Sequence, residues 1–150
     1  MTMRERLRLC DAMRDGLHAL QPNYMITLTF GYLIKPVNAR PLMTRFFNVI
    51  QREAFGRKWA SQRDRDWPVA HDFFEHPHSN PHFHVLARVD QILGERLENG
   101  VAQLWTDITR RGQLHVQRIK NLEAEVIYCT KDLYRPGYYE ETFLYADTRQ

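Results

Sequence analysis

Residues 82–89 read HFHVLARV, and their strict alternation sorts the side chains onto the two sides of one strand. Phe83, Val85 and Ala87 fall on one side, whereas His82 and His84 fall on the other. Successive side chains along a strand point to opposite faces of the sheet. The pattern therefore predicts a strand with one face toward an apolar core and another face that carries two imidazoles.

The segments around this strand alternate between strand and helix periodicity. Strand patterns cover residues 24–31, 68–76 and 114–119, and helix patterns cover residues 3–20, 41–57, 91–110 and 122–133. Pro41 fits the first turn of the second helix. The central order β-α-β-β-α-β predicts an α+β, ferredoxin-like split βαβ fold, with a four- or five-stranded antiparallel sheet and helices on one face.

The alternation also predicts what each face of the sheet carries. The face under the helices collects apolar side chains, namely Leu28, Val85, Ala87, Leu114 and Val116. The opposite face collects hydroxyl, amide and imidazole groups, namely Thr27, Thr29, His82, His84, His115 and Gln117. A polar sheet face is either simply solvated or functional. We expect the functional site of this chain on that face.

Composition limits the class of protein. The 150 residues are 43% apolar and 26% charged, which is typical of one folded domain and argues against disorder. Two cysteines exclude a disulfide framework and a Cys-rich zinc site. No apolar run reaches the roughly 18 residues of a membrane span, and the charged N-terminus is unlike a signal peptide. The expectation is a cytoplasmic protein with no membrane partner.

Charge is distributed unevenly along the chain. The net charge is only +3, yet residues 35–65 hold eight Lys or Arg against two Asp or Glu, a local +6. Residues 120–150 hold four against six, a local −2. The basic excess therefore lies in one stretch, and any polyanion partner is expected to bind there.

The pair His82 and His84 is a candidate metal site. Two His at i and i+2 on a strand share a face, with Cβ atoms about 6–7 Å apart. If residues 68–76 pair antiparallel with 82–89, Glu75 comes near both rings. Two imidazoles and a carboxylate with open coordination positions suit Mn²⁺ or Mg²⁺ acting as a Lewis acid. A surface strand rich in His, or an adventitious zinc or nickel site, is the alternative, because His71, His76 and His78 lie close by.

Tyr128 and Lys131 form a second candidate pair on the last predicted helix. They are i and i+3 neighbours and lie off the apolar stripe of that helix, which consists of Leu122, Val126, Cys129 and Leu133. A tyrosine that is not needed for the core is available as a nucleophile, and a nearby lysine can stabilise phenolate or phosphate charge. The alternative is a half-packed tyrosine at the boundary of the core.

Together these segments resemble the HUH endonucleases of the rolling-circle replication initiator (Rep) type. The resemblance covers about residues 24–133. Residues 26–30 (ITLTF) are similar to the first motif of that family, His82-Phe83-His84 to the second, and Tyr128-x-x-Lys131 to the third. Glu75 is positioned like the acidic third metal ligand of many members.

The resemblance implies an enzyme that nicks and rejoins single-stranded DNA at a replication origin. Glu75, His82 and His84 would hold a divalent metal ion (Mn²⁺ or Mg²⁺), and Tyr128 would attack the scissile phosphate, which gives a 5′-phosphotyrosine link and a free 3′-OH. Lys131 would assist the nucleophile or the phosphate. A single HUH domain would span 1–150, with residues 1–20 as an N-terminal helix extension and 134–150 as a C-terminal tail.

The implied partner is single-stranded or hairpin DNA, which calls for a basic groove with stacking aromatics. The candidates for that surface are Arg40, Arg45, Arg52, Arg57, Lys58, Arg63, Arg65, Trp59, Trp67 and Gln117. No GxxxxGK[ST] loop is present, so a host helicase would separate the strands, unless the DNA already forms a hairpin. The resemblance also implies that the gene belongs to a bacterium, a phage or a plasmid.

Three other interpretations remain open at this stage. The chain could be a non-enzymatic nucleic-acid-binding module on the same sheet, although such a module does not require the metal-type trio. It could be a related HUH transposase or relaxase. It could also be a structural protein with an idle site. The sequence leaves the oligomeric state open.

Overall fold

Helices and strands alternate along the part of the chain that the computed structural model describes, residues 2–57, 69–135 and 143–144. The helices are α1 (Met3–Leu20), α2 (Pro36–Phe55), α3 (Gln91–Glu98), α4 (Ala102–Thr109) and α5 (Leu122–Thr130). The strands are β1 (Tyr24–Thr29), β2 (Val69–Glu75), β3 (His82–Arg88), β4 (Leu114–Arg118) and β5 (Phe143–Leu144).

The strands form one antiparallel sheet in the order β4-β1-β3-β2-β5. Its first four members have the strand order of a split βαβ unit, which confirms the predicted ferredoxin-like arrangement. The two-residue β5 extends the sheet beside β2. In the register, Thr27 of β1 lies opposite His84 of β3, and Glu75 of β2 lies opposite His82.

One face of the sheet packs against α2, α3 and α4. Leu28, Val85 and Ala87 are buried there, and Leu114 and Val116 pack at its margin, as the alternation predicts. The helices contribute large side chains to this core, among them Met43, Phe46, Leu93 and Trp105. Burial of this apolar surface is the main driving force for assembling the layer.

The opposite face is covered in part by α1 and α5. Met25, Phe73 and Leu86 point to this side of the sheet and pack against the two helices. This second core is completed by Val126 and Cys129 of α5, by Leu133 of the turn after α5, and by Cys10 and Leu17 of α1. The first helix therefore completes a second core, a role that the sequence alone did not reveal.

Three predicted helices differ in their bounds from the structure, and the last of them, predicted to reach residue 133, ends at Thr130. The second helix begins at Pro36, so Pro41 lies inside it rather than in its first turn. Pro36 occupies the first helical position, where the missing N–H of proline removes no helical hydrogen bond. The helix predicted over 91–110 is two helices, because Gly100 has φ 87°, a left-handed conformation that favours glycine.

The turn between α4 and β4 is locked onto the end of β1. Thr109 Oγ1 accepts a hydrogen bond from Gly112 N at 2.8 Å, and Trp105 Nε1 donates one to the Thr29 carbonyl at 2.8 Å. A Cβ at Gly112 would lie 2.3 Å from both Thr109 Oγ1 and the Thr29 carbonyl oxygen. Only glycine fits this position, and the turn is held rigidly against the sheet.

Within the described ranges, no helix combines the length and the apolar character that crossing a bilayer requires.

Candidate metal and nucleophile site

The β2–β3 hairpin assembles three ligand-type side chains. Glu75 is the last residue of β2 and His82 is the first of β3, so antiparallel pairing sets them opposite one another. His84 follows two residues later and shares the face of His82. The structure thus brings together Glu75, His82 and His84, the trio selected from the sequence.

The donor atoms of the trio converge on one point. His82 Nε2 and His84 Nε2 are 3.1 Å apart, and each lies 3.5 Å from Glu75 Oε2. All three side chains are buried. Oε2 of Glu75 has no hydrogen-bond partner among the described residues. A buried carboxylate oxygen that lacks a donor is an energetically unfavourable feature unless something else satisfies it.

These separations fit a shared metal ion. Donors bound to one ion at about 2.1 Å lie about 3.0–3.4 Å apart for angles of about 90–110°. His82 Nδ1 lies 2.7 Å from the Asn80 carbonyl oxygen, so Nδ1 carries the hydrogen and Nε2 presents its lone pair to the cluster. The trio is therefore able to hold a metal ion, with the carboxylate and both Nε2 atoms as ligands.

Second contacts orient both imidazoles. The Asn80 carbonyl fixes the His82 ring, and Thr27 Oγ1 lies 3.1 Å from His84 Nδ1. Partners of this kind on the far ring nitrogen hold a ligand histidine in place. Sequence reasoning missed both residues as members of the site. The signal for Thr27 was available, since it lies in the first motif strand, on the polar face and opposite His84.

The groups around Glu75 keep its carboxyl group ionised. Burial by itself would raise the pKa of this carboxyl group, but His82, His84 and Lys131 outweigh burial and hold the pKa well below its ordinary value. Burial would likewise lower the pKa of His82, yet Glu75 and the Asn80 carbonyl raise it. Glu75 is therefore a carboxylate at neutral pH, as a ligand must be.

Lys131 and Tyr128 reach the site from α5 and the turn that follows it. Lys131 Nζ donates a 2.6 Å hydrogen bond to Glu75 Oε1, the carboxylate oxygen that does not face the imidazoles. The same Nζ lies 4.0 Å from the centre of the Tyr128 ring. That ring meets His84 edge-on, with centroids 5.2 Å apart. The third motif is thus adjacent to the metal trio, with Tyr128 45% exposed.

His76 is a further neighbour that the sequence did not single out. Its Nε2 lies 4.0 Å from Glu75 Oε2, and its ring stacks on His82 with centroids 5.5 Å apart. Its φ of 50° places it in the left-handed region at the start of the hairpin turn. This rarely occupied backbone conformation keeps the imidazole beside the cluster rather than in the strand.

The four arginines of the predicted DNA surface that the structure describes do not lie beside the trio. Arg45 and Arg52 are exposed on α2, which packs on the other face of the sheet. Arg40 is also on α2, and its Nε lies 4.0 Å from the buried carboxylate of Asp72, a structural partner. Arg57 follows the end of α2 and is exposed. These placements remove the α2 arginines from the face that carries the metal trio.

Gln117 does share that face, because it lies opposite Met25 in the register, and its amide donates to Glu125 Oε1 at 3.3 Å. The other candidates for the DNA surface, Lys58, Trp59, Arg63, Arg65 and Trp67, fall outside the described residues. Most of the C-terminal tail, residues 136–142 and 145–150, falls outside them as well.

Comparison with known proteins adds no relative, since no protein-family model, curated protein or solved structure matches this chain.

Proposed function

We propose that this protein is a metal-dependent endonuclease and strand transferase of the HUH type, which nicks single-stranded DNA at a replication origin through a tyrosine–DNA intermediate. The observation that carries the proposal is the meeting of two independent elements. The β2–β3 hairpin supplies Glu75, His82 and His84, while α5 brings Tyr128 and Lys131 against them from the far end of the chain.

Nothing in core packing requires this meeting. The apolar stripe of α5 already anchors the helix in the second core, so Tyr128 and Lys131 are not needed for its burial. Lys131 instead extends to a buried carboxylate, and Tyr128 stays 45% exposed beside His84. Polar groups that converge on one point while one nucleophile faces solvent are typical of a catalytic site rather than of a structural one.

Each residue has a defined task in this proposal. Glu75, His82 and His84 would hold Mn²⁺ or Mg²⁺, which when bound polarises a phosphoryl oxygen and stabilises the charge that develops on it. Lys131 holds the Glu75 carboxylate by its outer oxygen and sets a positive charge over the Tyr128 ring. That charge would also attract the phosphate of a bound strand toward the nucleophile.

The chemical step is a transesterification in which Tyr128 Oη attacks the scissile phosphorus. A bond forms between Oη and phosphorus, and the bond from phosphorus to the 3′ oxygen breaks. The phenol gives up its proton and the departing 3′ oxygen gains one. The 5′ phosphate stays on the tyrosine, so the energy of the phosphodiester is retained for a later rejoining step.

The decisive experiment is adduct formation on a denaturing gel. The protein is incubated with labelled single-stranded hairpin oligonucleotides and MnCl₂, and parallel samples contain EDTA. We expect a covalent protein–DNA band that requires the metal. The band should be absent in Tyr128→Phe, which removes only the nucleophilic oxygen, and strongly reduced in His84→Ala.

Tyr134 provides a matched control, since it is another partly exposed tyrosine six residues further on. Tyr134→Phe should form the adduct as the parent protein does. An undiminished band in Tyr128→Phe would refute the nucleophile assignment. Oligonucleotide binding without an adduct under every condition would favour the non-enzymatic binding module.

A further inference from the structure

A cleft with two arginines lies at the end of the sheet that carries the metal trio. Its volume is about 430 Å³, and it is lined by Tyr32, Leu42, Ile108, Thr109, Arg110 and Arg111. The size is typical of a small-ligand pocket. Its walls combine an aromatic ring, aliphatic side chains and two guanidinium groups, the set that a nucleotide base and its phosphates need.

The two arginines are presented by a rigid backbone. Arg110 has φ 72°, a left-handed conformation that is uncommon for a residue with a side chain. The interlocked turn described above holds it there, and Gly31 closes the other side, since a Cβ on Gly31 would meet Arg111 at 2.9 Å. Strain that the surrounding structure maintains is concentrated at functional sites.

Neither guanidinium group is used within the described part of the chain. Arg40, Arg96 and Arg118 pair with carboxylates, whereas the exposed side chains of Arg110 and Arg111 make no ion pair or hydrogen bond with the described residues. Tyr32 is 37% exposed and rests edge-on against buried Phe30, with ring centroids 6.2 Å apart. The cleft therefore presents two guanidinium groups that are not paired with a described carboxylate, beside the Tyr32 ring that packs on Phe30.

The register connects this cleft to the metal trio. His82 lies opposite Thr29, and Thr29 in turn exchanges hydrogen bonds with Gln113, two residues after Arg111. The backbone of His82 and that of Gln113 are separated by two strand spacings, about 10 Å. A single strand whose scissile phosphate lies at the trio would reach the cleft within a few nucleotides.

We infer that Tyr32, Arg110 and Arg111 bind single-stranded DNA next to the scissile phosphate, with a base on the tyrosine ring and phosphates on the guanidinium groups. The inference rests on the proposed function for its substrate, and it adds a DNA-binding surface outside the basic stretch of residues 35–65. Arg45 and Arg52 are exposed on α2 and do not line this cleft, although Leu42 of the same helix does.

The test measures binding separately from chemistry. Fluorescence anisotropy gives the affinity of labelled single-stranded oligonucleotides for the full chain in the Tyr128→Phe background, which needs no cleavage. Adding Arg110→Ala and Arg111→Ala together should weaken binding at least about tenfold. It should also reduce the salt dependence of log K by about 1.4 for two phosphate contacts. Arg45→Ala with Arg52→Ala, a matched loss of two exposed charges, should change affinity less than about threefold.

Tyr32 gives a second, uncharged readout. Tyr32→Ala should weaken binding about fivefold or more, whereas Tyr32→Phe should retain it, because stacking needs only the ring. Circular dichroism and melting of each variant would verify the fold. The inference would be refuted if the DNA affinity of the Arg110/Arg111 double variant stayed within twofold of the Tyr128→Phe protein. It would also be refuted if that affinity fell no further than the affinity of the Arg45/Arg52 double variant. A failure of the adduct assay alone would refute the proposed function but not this binding surface.

Discussion

Metal binding at Glu75, His82 and His84 should weaken steeply as the pH falls, because both imidazoles must be neutral to serve as ligands. Their Nε2 atoms are 3.1 Å apart, so a proton on either one occupies the position of the ion. Glu75 does not contribute to this dependence, since its neighbours keep its pKa well below the range tested. The expected pH dependence is therefore that of two histidines.

The size of the effect follows from this count. A histidine of ordinary pKa, about 6.5, is roughly 90% neutral at pH 7.5 and roughly 90% protonated at pH 5.5. Protonation of one ligand imidazole of that pKa costs about tenfold in apparent affinity across the two pH units, and of two such imidazoles about 100-fold. The raised pKa of His82, to which Glu75 contributes despite the opposing effect of burial, shifts the onset of this loss to higher pH.

Isothermal titration calorimetry with MnCl₂ on EDTA-treated protein, at pH 7.5, 6.5 and 5.5, measures this directly. Glu75→Gln should bind more weakly and still lose affinity through both imidazoles, with the onset moved to lower pH because Glu75 no longer raises the pKa of His82. His82→Ala should bind more weakly and lose about half of the dependence on a logarithmic scale. A parent affinity that is flat between pH 7.5 and 5.5, or a dependence that survives removal of both histidines, would refute the assignment of the ligands.

Three further outcomes are expected. Gly112→Ala should destabilise the fold by about 3 kcal/mol or more in urea denaturation, because its Cβ would lie 2.3 Å from two oxygens. Gly16→Ala is the control: its Cβ has open space, so this variant should be more stable by about 0.5–1 kcal/mol. Similar unfolding midpoints for the two variants would contradict this. Thr27→Val should lower the affinity for Mn²⁺ about 10- to 100-fold with little change in melting temperature, and an unchanged affinity would remove Thr27 from the site. Arg118 lowers the pKa of Glu98 to about 2. The ionised Glu98 carboxylate therefore stabilises the fold fully above about pH 4.3, and this stabilisation is lost as the pH falls toward 2. The melting temperature of Glu98→Gln should therefore drop less than that of the parent between about pH 5 and 2.5, and equal drops would contradict this.

The strands and the metal trio were predictable because their signals are local. Alternation over 82–89 sets the two faces of β3. The hairpin turn between β2 and β3 is short, so it fixes the register that places Glu75 opposite His82. The apolar stripe of the last helix was equally clear, since Val126, Cys129 and Leu133 repeat at helical spacing and all are buried, although Leu133 lies in the turn after α5.

The parts that sequence reasoning missed depend on long-range packing. Periodicity shows that α1 and α2 each have an apolar side, but not which face of the sheet each one covers. The pattern therefore could not place Arg40, Arg45 and Arg52 of the basic stretch on α2, the helix that packs on the face away from the trio. The cleft at Arg110 and Arg111 went unnoticed for the same reason, since only the fold brings Tyr32 beside them.

The most direct test of the central claim is peptide mapping by mass spectrometry after incubation with MnCl₂ and a single-stranded hairpin oligonucleotide. Nuclease trimming of the bound DNA should leave a nucleotide on the peptide that contains Tyr128, with fragmentation placing the phosphate on that side chain. The modification should be absent in EDTA and in His84→Ala. A nucleotide on a different residue, or modification of Tyr128 that persists without metal, would contradict a metal-assisted attack by Tyr128.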